Sequence, residues 1–275
     1  MDNIIKTKFD KLLQILHDLK NCLVAYSGGI DSTFLLFASH EVLGDKTSGI
    51  LIDTLFLPKS EKCLALRTAR QLNLPLIVQE INLLQYSSII RNQPNRCYFC
   101  KKILFETIQE VANQKNFQFI TEGSNTDDLN DFRPGIKAIQ EMGIKSPLVD
   151  AGFTKEEIRQ LSKEKNLPTW NKPSFSCLAT RIPFGTTISS EHLDRIEKAE
   201  LFLNQLGFDQ FRVRDHYSIA RIEILLSNKN FARIRDYRHQ IVERLKSLGY
   251  QRVTLDLEGY RSGSMNEEPK IRELK

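Results

Sequence analysis

The chain has 275 residues, 41% of them hydrophobic and 27% charged, a balance that excludes a disordered or collagen-like protein and leaves room for one or two ordinary cores. No window approaches roughly eighteen uninterrupted apolar residues and the opening stretch MDNIIKTKFDKLLQ has no apolar export region, so the expectation is a cytoplasmic protein with no membrane partner. The net charge of +5 is uneven: residues 1–170 carry 21 Lys and Arg against 20 Asp and Glu, whereas residues 171–275 carry 18 against 14.

In chain order, the short apolar runs CLVAY, SGILID, LPLIVQEI and FQFITEG alternate with helix-length segments from Cys22 to about Val149. That rhythm predicts βαβ units and a parallel sheet. The segment TKEEIRQLSKEK opens with Thr154 and Glu157, the spacing of a capping box, and predicts a helix. Residues 166–185, NLPTWNKPSFSCLATRIPFG, hold three prolines and no periodicity, so they read as a boundary or a functional loop. Beyond them the pattern predicts a helix over 190–206, strands over 210–214 and 220–226, a helix over 231–248 and a strand over 252–257, a small α+β domain with an antiparallel sheet. Arg supplies 6 of the 21 basic residues in the first part but 12 of the 18 in the second. Its fork suits carboxylate and phosphate, so this part is expected to grip an anion, although any one Arg is as readily a solvated surface charge. The expected layout is an α/β nucleotide domain over 1–165, a cysteine-bearing active-site loop over 166–188 and a smaller C-terminal α+β domain over 189–275.

The first strand runs straight into SGGIDS, Ser27 to Ser32, and then a helical segment. Glycines at a strand-to-helix turn let the backbone approach a ligand, and the amides at the helix start point at an anion. The spacing is not that of a Walker A loop. A second polar stretch, TEGSNTDDLNDFRPG from Thr121, follows the strand FQFI and is expected at the carboxyl end of the same sheet, where open α/β folds bind ligands. Its Asp127, Asp128 and Asp131 suit Mg²⁺ and its Arg133 suits a phosphate. A plain polar turn is the alternative.

Five cysteines without an export signal argue for reduced thiols used in metal binding or chemistry. Cys97 and Cys100 lie three residues apart at the start of a helix-like run, where the dipole favours thiolates, and Cys177 lies in the proline-bounded loop. Three thiolates from two segments fit a cuboidal iron-sulfur cluster with one iron open; zinc with His216 as a fourth ligand, and redox-active or merely buried thiols, stay open. Cys22 and Cys63 have apolar neighbours and are expected in the core.

S-G-G-x-D-S after a strand resembles the pyrophosphate loop (PP-loop) of the N-type ATP pyrophosphatases, adenine nucleotide alpha hydrolase-like α/β proteins that activate a substrate oxygen as an adenylate. With EGSNTDD, FRPG, CLATRIPFGTTI, FRVRDH and GYRSGSMNE added, about the whole chain is similar to the LarE family of sulfur transferases in nickel-pincer nucleotide biosynthesis. The resemblance implies ATP and Mg²⁺ as cofactors. It also implies adenylation of a carboxylate of pyridinium-3,5-biscarboxylic acid mononucleotide, and conversion to a thiocarboxylate. One branch of that family has only the cysteine matching Cys177 and gives up its own sulfur; the branch with C-x-x-C as well carries a 4Fe-4S cluster, and this sequence, with Cys97, Cys100 and Cys177, resembles that branch. By the same resemblance Ser27, Gly28, Gly29, Ser32, Gly123 and Asp127 meet the nucleotide, Asp31 positions Mg²⁺, and Cys177, Arg181 and Asp31 serve the chemistry. Arg133, Arg212, Arg214, Arg261, Glu200, Glu223 and Trp170 are the implied substrate contacts. A sulfide source and a ring-like homo-oligomer, a hexamer among the options, are the implied partners. Two alternatives stand beside this: a cluster-dependent tRNA thiolase of the same superfamily, against which no RNA-binding module is recognisable, and a catalytically idle nucleotide-binding or metal-sensing protein.

Overall fold

The computed structural model describes residues 3–130 and 134–261, which divide into two compact units. One is built from the chain up to Leu83 and from Asn95–Phe175, the other from Leu84–Pro94 and from Ser176 onward. Residues expected as one loop, 166–188, are thus shared between the units, and the stretch 84–94 belongs with the later part of the chain.

The first unit contains α1 (Asn3–Asp18), β1 (Cys22–Ala25), α2 (Ile30–Leu43), β2 (Thr47–Asp53), α3 (Lys59–Gln71) and β3 (Leu76–Glu80). After α4 (Ser87–Ile90), which lies in the second unit, it continues with α5 (Arg96–Gln114), β4 (Phe119–Thr121), α6 (Pro134–Glu141), α7 (Pro147–Asp150) and α8 (Lys155–Glu164). All four expected strands form, and they pair in parallel in the order β3-β2-β1-β4. Parallel neighbours need a crossover, which the helix-length segments supply. Successive residues of β1 face opposite sides: Cys22 and Val24 join Leu12, Leu16, Phe34 and Phe153, whereas Leu23 joins Phe105, Ile108 and Ile120. Burial on both faces is why the strands read as unbroken apolar runs. Each fully buried leucine of this kind contributes about 1.5–3 kcal/mol. At α8 the capping box is present, with the Glu157 carboxylate accepting from the Thr154 amide at 2.8 Å.

The strand order reverses at β1, with β2 on one side and β4 on the other. The crevice beyond the carboxyl ends of β1 and β4 is therefore the switch point where open α/β sheets bind ligands. Both polar stretches singled out in the sequence, SGGIDS and TEGSNTDD, leave the sheet there.

The second unit contains α9 (Ser190–Gln205), β5 (Phe211–His216), β6 (Ile219–Ile224), α10 (Asn228–Ser247) and β7 (Arg252–Leu255). Its three-stranded sheet has the order β5-β6-β7. β5 and β6 form an antiparallel hairpin, but β7 runs parallel to β6, so the sheet is mixed rather than antiparallel throughout. The cause is α10, a 20-residue helix that returns the chain to the same end of the sheet before β7 begins. One face buries Phe211, Val213, Ala220, Ile222 and Ile224 with Leu203 of α9 and Leu245 of α10. The alternate residues Arg212, Arg214, Arg221 and Glu223 occupy the other face. The 84–94 stretch is tied in by Asn92, whose side-chain amide donates to the carbonyls of Ile182 and Pro183 at 3.2 and 2.8 Å. Among the described residues no helix is long and apolar enough to cross a membrane.

Candidate active-site groups

In the first unit β1 gives way to a turn whose geometry requires glycine. Gly28 has φ +70°, and a Cβ there would stand 2.5 Å from Cβ and 2.9 Å from Cα of Ala65 in α3. At Gly123 a Cβ would stand 2.9 Å from the Ser32 amide nitrogen, so the β4 loop lies directly against the first turn of α2. Gly29 is the N-cap of α2 and offers no side chain to its first amides, which leaves them for an anion. The turn is braced from within: Ser27 and Ser32 share a hydroxyl hydrogen bond of 3.0 Å, the Ser27 amide donates to Ser32 Oγ at 3.2 Å, and Ser32 Oγ donates to the Gly29 carbonyl at 3.3 Å.

Asp31, in the first turn of α2, stands among residues of the β4 loop and the start of α8. It accepts from Asn125 Nδ2 and from Lys155 Nζ, both at 3.3 Å. Asp127 accepts from the Lys155 amide at 2.9 Å and Asp128 from the Asn125 amide at 3.1 Å. Burial pushes the Asp31 carboxyl above the ordinary carboxylate range, with Lys155 and Asn125 pulling the other way and Asp128 adding to the rise. Neighbouring carboxylates in a partly buried site are the oxygen donors a hard dication requires, and such an ion would favour the ionised form that burial disfavours at Asp31. Arg133 and Asp131 lie outside the described residues.

Cys97 lies in the first turn of α5, whose N-cap Asn95 makes no side-chain cap, and Cys100 begins the second. Cys97 is exposed and Cys100 half-buried, and the buried Arg96 directs Nη2 toward Cys97 Sγ at 3.9 Å. Neither they nor Cys177 forms a disulfide. Two thiols one turn apart, beside a guanidinium and an uncapped helix start, suit thiolate ligation. Among the described residues no three His, Cys, Asp or Glu side chains form a metal-holding group. Cys22 is fully buried as expected, but Cys63 is exposed, because α3 buries the stripe of Ala65, Thr68 and Ala69 and turns residue 63 outward. Trp170 is about one-third exposed and its ring face is taken by Lys163 Nζ at 4.9 Å.

In the second unit Cys177 is the N-cap of a short 3-10 turn, Leu178–Arg181. Arg181, 1% exposed, grips the backbone around it: Nη1 donates to the carbonyls of Ser176 and Cys177 at 2.7 and 3.0 Å and to the hydroxyls of Ser176 and Thr180 at 2.8 and 3.0 Å. Its other edge forks onto Glu200 of α9 at 3.0 and 2.9 Å. Glu200 accepts in addition from the Val213 amide at 3.0 Å. On the polar face of the sheet Arg214 pairs with buried Glu223 at 2.7 Å and donates to the Thr180 carbonyl at 2.8 Å. Arg221 stands 3.1 Å from Glu223 and 3.4 Å from Asp256.

Arg212 differs. Its guanidinium donates to the Phe211 carbonyl at 2.7 Å and lies over the Tyr260 ring at 5.0 Å, and no carboxylate pairs with it among the described residues. Burial, and then the nearby Arg181, lower its pKa, while Glu200 and Tyr260 pull the other way. Arg261 donates to Glu258 at 2.6 Å. His216 of β5 has a half-buried ring whose pKa burial and Arg221 hold down.

The structure thus groups Ser27, Gly28, Gly29, Asp31, Ser32, Gly123 and Asp127 at one crevice. It groups Cys177, Arg181, Glu200, Arg212, Arg214 and Glu223 in the second unit. Sequence reasoning passed over Asn125 and Lys155, the direct neighbours of Asp31; Lys155 follows the N-cap Thr154 and reads as an ordinary first-turn surface charge.

No family model matches the chain. It is 35% identical to the pyridinium-3,5-bisthiocarboxylic acid mononucleotide synthase of Lactiplantibacillus plantarum, over 96% of this chain and 95% of that protein. An uncharacterized protein of Synechocystis sp. is 37% identical over 96% of this chain and 98% of its own length. More distantly, a component of the glutamine-hydrolyzing GMP synthase of Thermococcus kodakarensis is 25% identical over 61% of this chain and 57% of that protein.

Proposed function

Because the chain belongs to the LarE family, that of the pyridinium-3,5-bisthiocarboxylic acid mononucleotide synthase, we propose that it adenylates a carboxylate of pyridinium-3,5-biscarboxylic acid mononucleotide and converts it to a thiocarboxylate. It is an ATP-dependent sulfurtransferase. A substrate carboxylate oxygen attacks the α-phosphorus of ATP, the bond to the β-phosphate breaks, and pyrophosphate leaves. Sulfur then attacks the acyl carbon, a C–S bond forms, and the C–O bond to AMP breaks with its electron pair going to AMP.

The turn Ser27–Ser32 and the α2 amides receive the pyrophosphate, with Gly123 and Asp127 on the β4 loop side. Asp31 and Asp128 would hold Mg²⁺, which would offset charge on the phosphates. Arg212 takes the phosphate of the pyridinium nucleotide, with Arg214 and Glu223 setting its surroundings and Arg133, Arg261, Glu200 and Trp170 as further contacts. Arg181 keeps the Cys177 peptide in place. Cys97, Cys100 and Cys177 would hold a 4Fe-4S cluster, which when bound would supply a sulfur donor that an external sulfide source can replenish. In this reading residues 1–165 serve the nucleotide, 166–188 bring the third cysteine, and 189–275 serve substrate and a ring-like homo-oligomer.

The observation that carries the reading is 35% identity sustained over 96% of the chain. Its test is ATP–pyrophosphate exchange: the pyridinium dicarboxylate nucleotide should stimulate it, and exchange indifferent to that nucleotide would refute the substrate. For the cluster, anaerobic reconstitution should load iron and sulfide on the parent and much less on Cys97→Ala. Equal iron on both removes Cys97 as a ligand. A protein mass lower by one H₂S after turnover would place the chain in the sacrificial branch.

A further inference from the structure

Lys172 lies in the proline-rich stretch before Cys177 and looks, in sequence, like one more surface lysine. Its side chain is only 10% exposed. The ammonium pairs with Glu61 of α3 at 2.7 Å and donates to the Gly28 carbonyl at 2.9 Å. All three groups belong to the first unit.

The Gly28 carbonyl is one side of the Gly28–Gly29 peptide, and the other side carries the Gly29 N–H at the mouth of α2. A peptide is planar and trans, so a grip on its carbonyl fixes the direction of its amide. Glycines on both sides leave this plane freer to rotate than any other in the turn. The Gly29 amide otherwise reaches only a long hydrogen bond, 3.4 Å, to Ser27 Oγ, which a stronger acceptor can replace. Glu61 in turn seats the ammonium, with its carboxylate 2.7 Å from Nζ.

We infer that Lys172 is a positioning residue for the pyrophosphate loop: seated on Glu61, it pins the Gly28 carbonyl so that the Gly29 amide faces the pyrophosphate of ATP. The inference rests on the ATP reading given above. The bland alternative is a brace between the 166–175 stretch and α3, in which Gly28 is incidental. The two differ in what they do to ligands. Pinning serves pyrophosphate and ATP but not AMP, which lacks the leaving phosphates; a brace serves all three alike.

The experiment is calorimetric titration of the full-length parent, Lys172→Gln, Lys172→Arg and Glu61→Gln with magnesium pyrophosphate and, separately, with AMP. A hydrogen bond to a charged group corresponds to roughly tenfold or more in affinity. Lys172→Gln should therefore weaken pyrophosphate by about tenfold while AMP stays within about twofold. Lys172→Arg should keep the charge and recover much of the pyrophosphate affinity, which also covers the case in which the glutamine variant does not fold. Glu61→Gln leaves the ammonium on Gly28 and should cost less than Lys172→Gln. Equal losses for pyrophosphate and AMP, equal effects of Lys172→Gln and Glu61→Gln, or an arginine variant no better than none overturn the inference. A parent that binds both ligands beside an unaffected Lys172→Gln sinks this inference alone, whereas a parent that binds neither sinks the ATP reading and this inference with it.

Discussion

Arg181→Lys keeps a cation and removes a fork. The guanidinium spans two sets of acceptors: Glu200 on one edge, and the Ser176 and Cys177 carbonyls with two hydroxyls on the other. An ammonium is a single point of charge and cannot serve both. If Lys stays on Glu200, two charge-assisted bonds to carbonyls are lost, about 1.5 kcal/mol or more each. If it turns to the carbonyls, Glu200 is left a partly buried, unpaired carboxylate, and breaking a buried pair costs roughly 3–5 kcal/mol. Either way the expected loss is about 3 kcal/mol. Urea unfolding of the apo protein under anaerobic conditions measures it. The rate at which Cys177 reacts with a disulfide reagent, read in a variant whose other cysteines are serine, should rise together with the stability loss. In combination with Glu200→Gln the two costs should overlap rather than add, because both changes break one contact. An Arg181→Lys protein within about 0.5 kcal/mol of the parent and with an unchanged Cys177 reaction rate would refute the view that Arg181 holds this turn.

Gly28→Ala must place a Cβ at positive φ, at about 1–2 kcal/mol, and against Ala65, where overpacking adds about 1–3 kcal/mol; a lower denaturant midpoint and a higher KM for ATP should appear together, and an unchanged midpoint would contradict the geometry. Asp31→Asn tests the raised carboxyl. The folded state holds the Asp31 proton more tightly than the unfolded state, so this group's contribution to stability falls as pH rises from the unfolded value of about 3.9 through the raised folded value. The Tm of the apo Asn variant relative to the parent should therefore increase from about pH 4 to pH 7 while activity is lost, and a difference that shrinks with pH would reverse the sign assigned here. Arg212→Ala should weaken binding of the pyridinium nucleotide about tenfold with ATP binding intact, a change in KM that a purely surface Arg212 would not produce. Arg214→Ala should instead lower stability by about 1.5–3 kcal/mol, since it removes the 2.7 Å partner of buried Glu223 and leaves Arg221 at 3.1 Å as its remaining cation.

Those last two substitutions show where the sequence could be read and where it could not. Alternation along FRVRDH put Arg212 and Arg214 on one face of a strand, and they lie there. It could not say that Arg214 meets Glu223 while Arg212 meets no carboxylate among the described residues, because the pairing runs diagonally across β6: Arg212 lies directly opposite Glu223, yet Arg214, opposite Arg221, is the one that reaches it. The cradle was legible for the opposite reason: strand, paired glycines and helix start sit within about ten consecutive residues. The capping box at Thr154 was legible on the same ground. The antiparallel pairing expected for β7 failed because the connection, not the strand, sets direction, and α10 is long enough to carry the chain back. Placement of 84–94 was out of reach, since it is fixed by Asn92 reaching Ile182, 90 residues on. Charged side chains are the least legible of all. Lys155 and Lys172, which no motif singles out, are held by Asp31 and Glu61, and Arg181, expected to serve the chemistry, is bound on both edges by its own loop and Glu200. On the polar face around β5, four guanidinium groups, Arg181, Arg212, Arg214 and Arg221, meet three carboxylates, Glu200, Glu223 and Asp256. Among the described residues that leaves Arg212 as the cation in excess, and in the reading proposed above a half-buried face with one unpaired cation favours an arriving anion over water, so the proposed phosphate contact rests on which arginines are already paired rather than on how many there are.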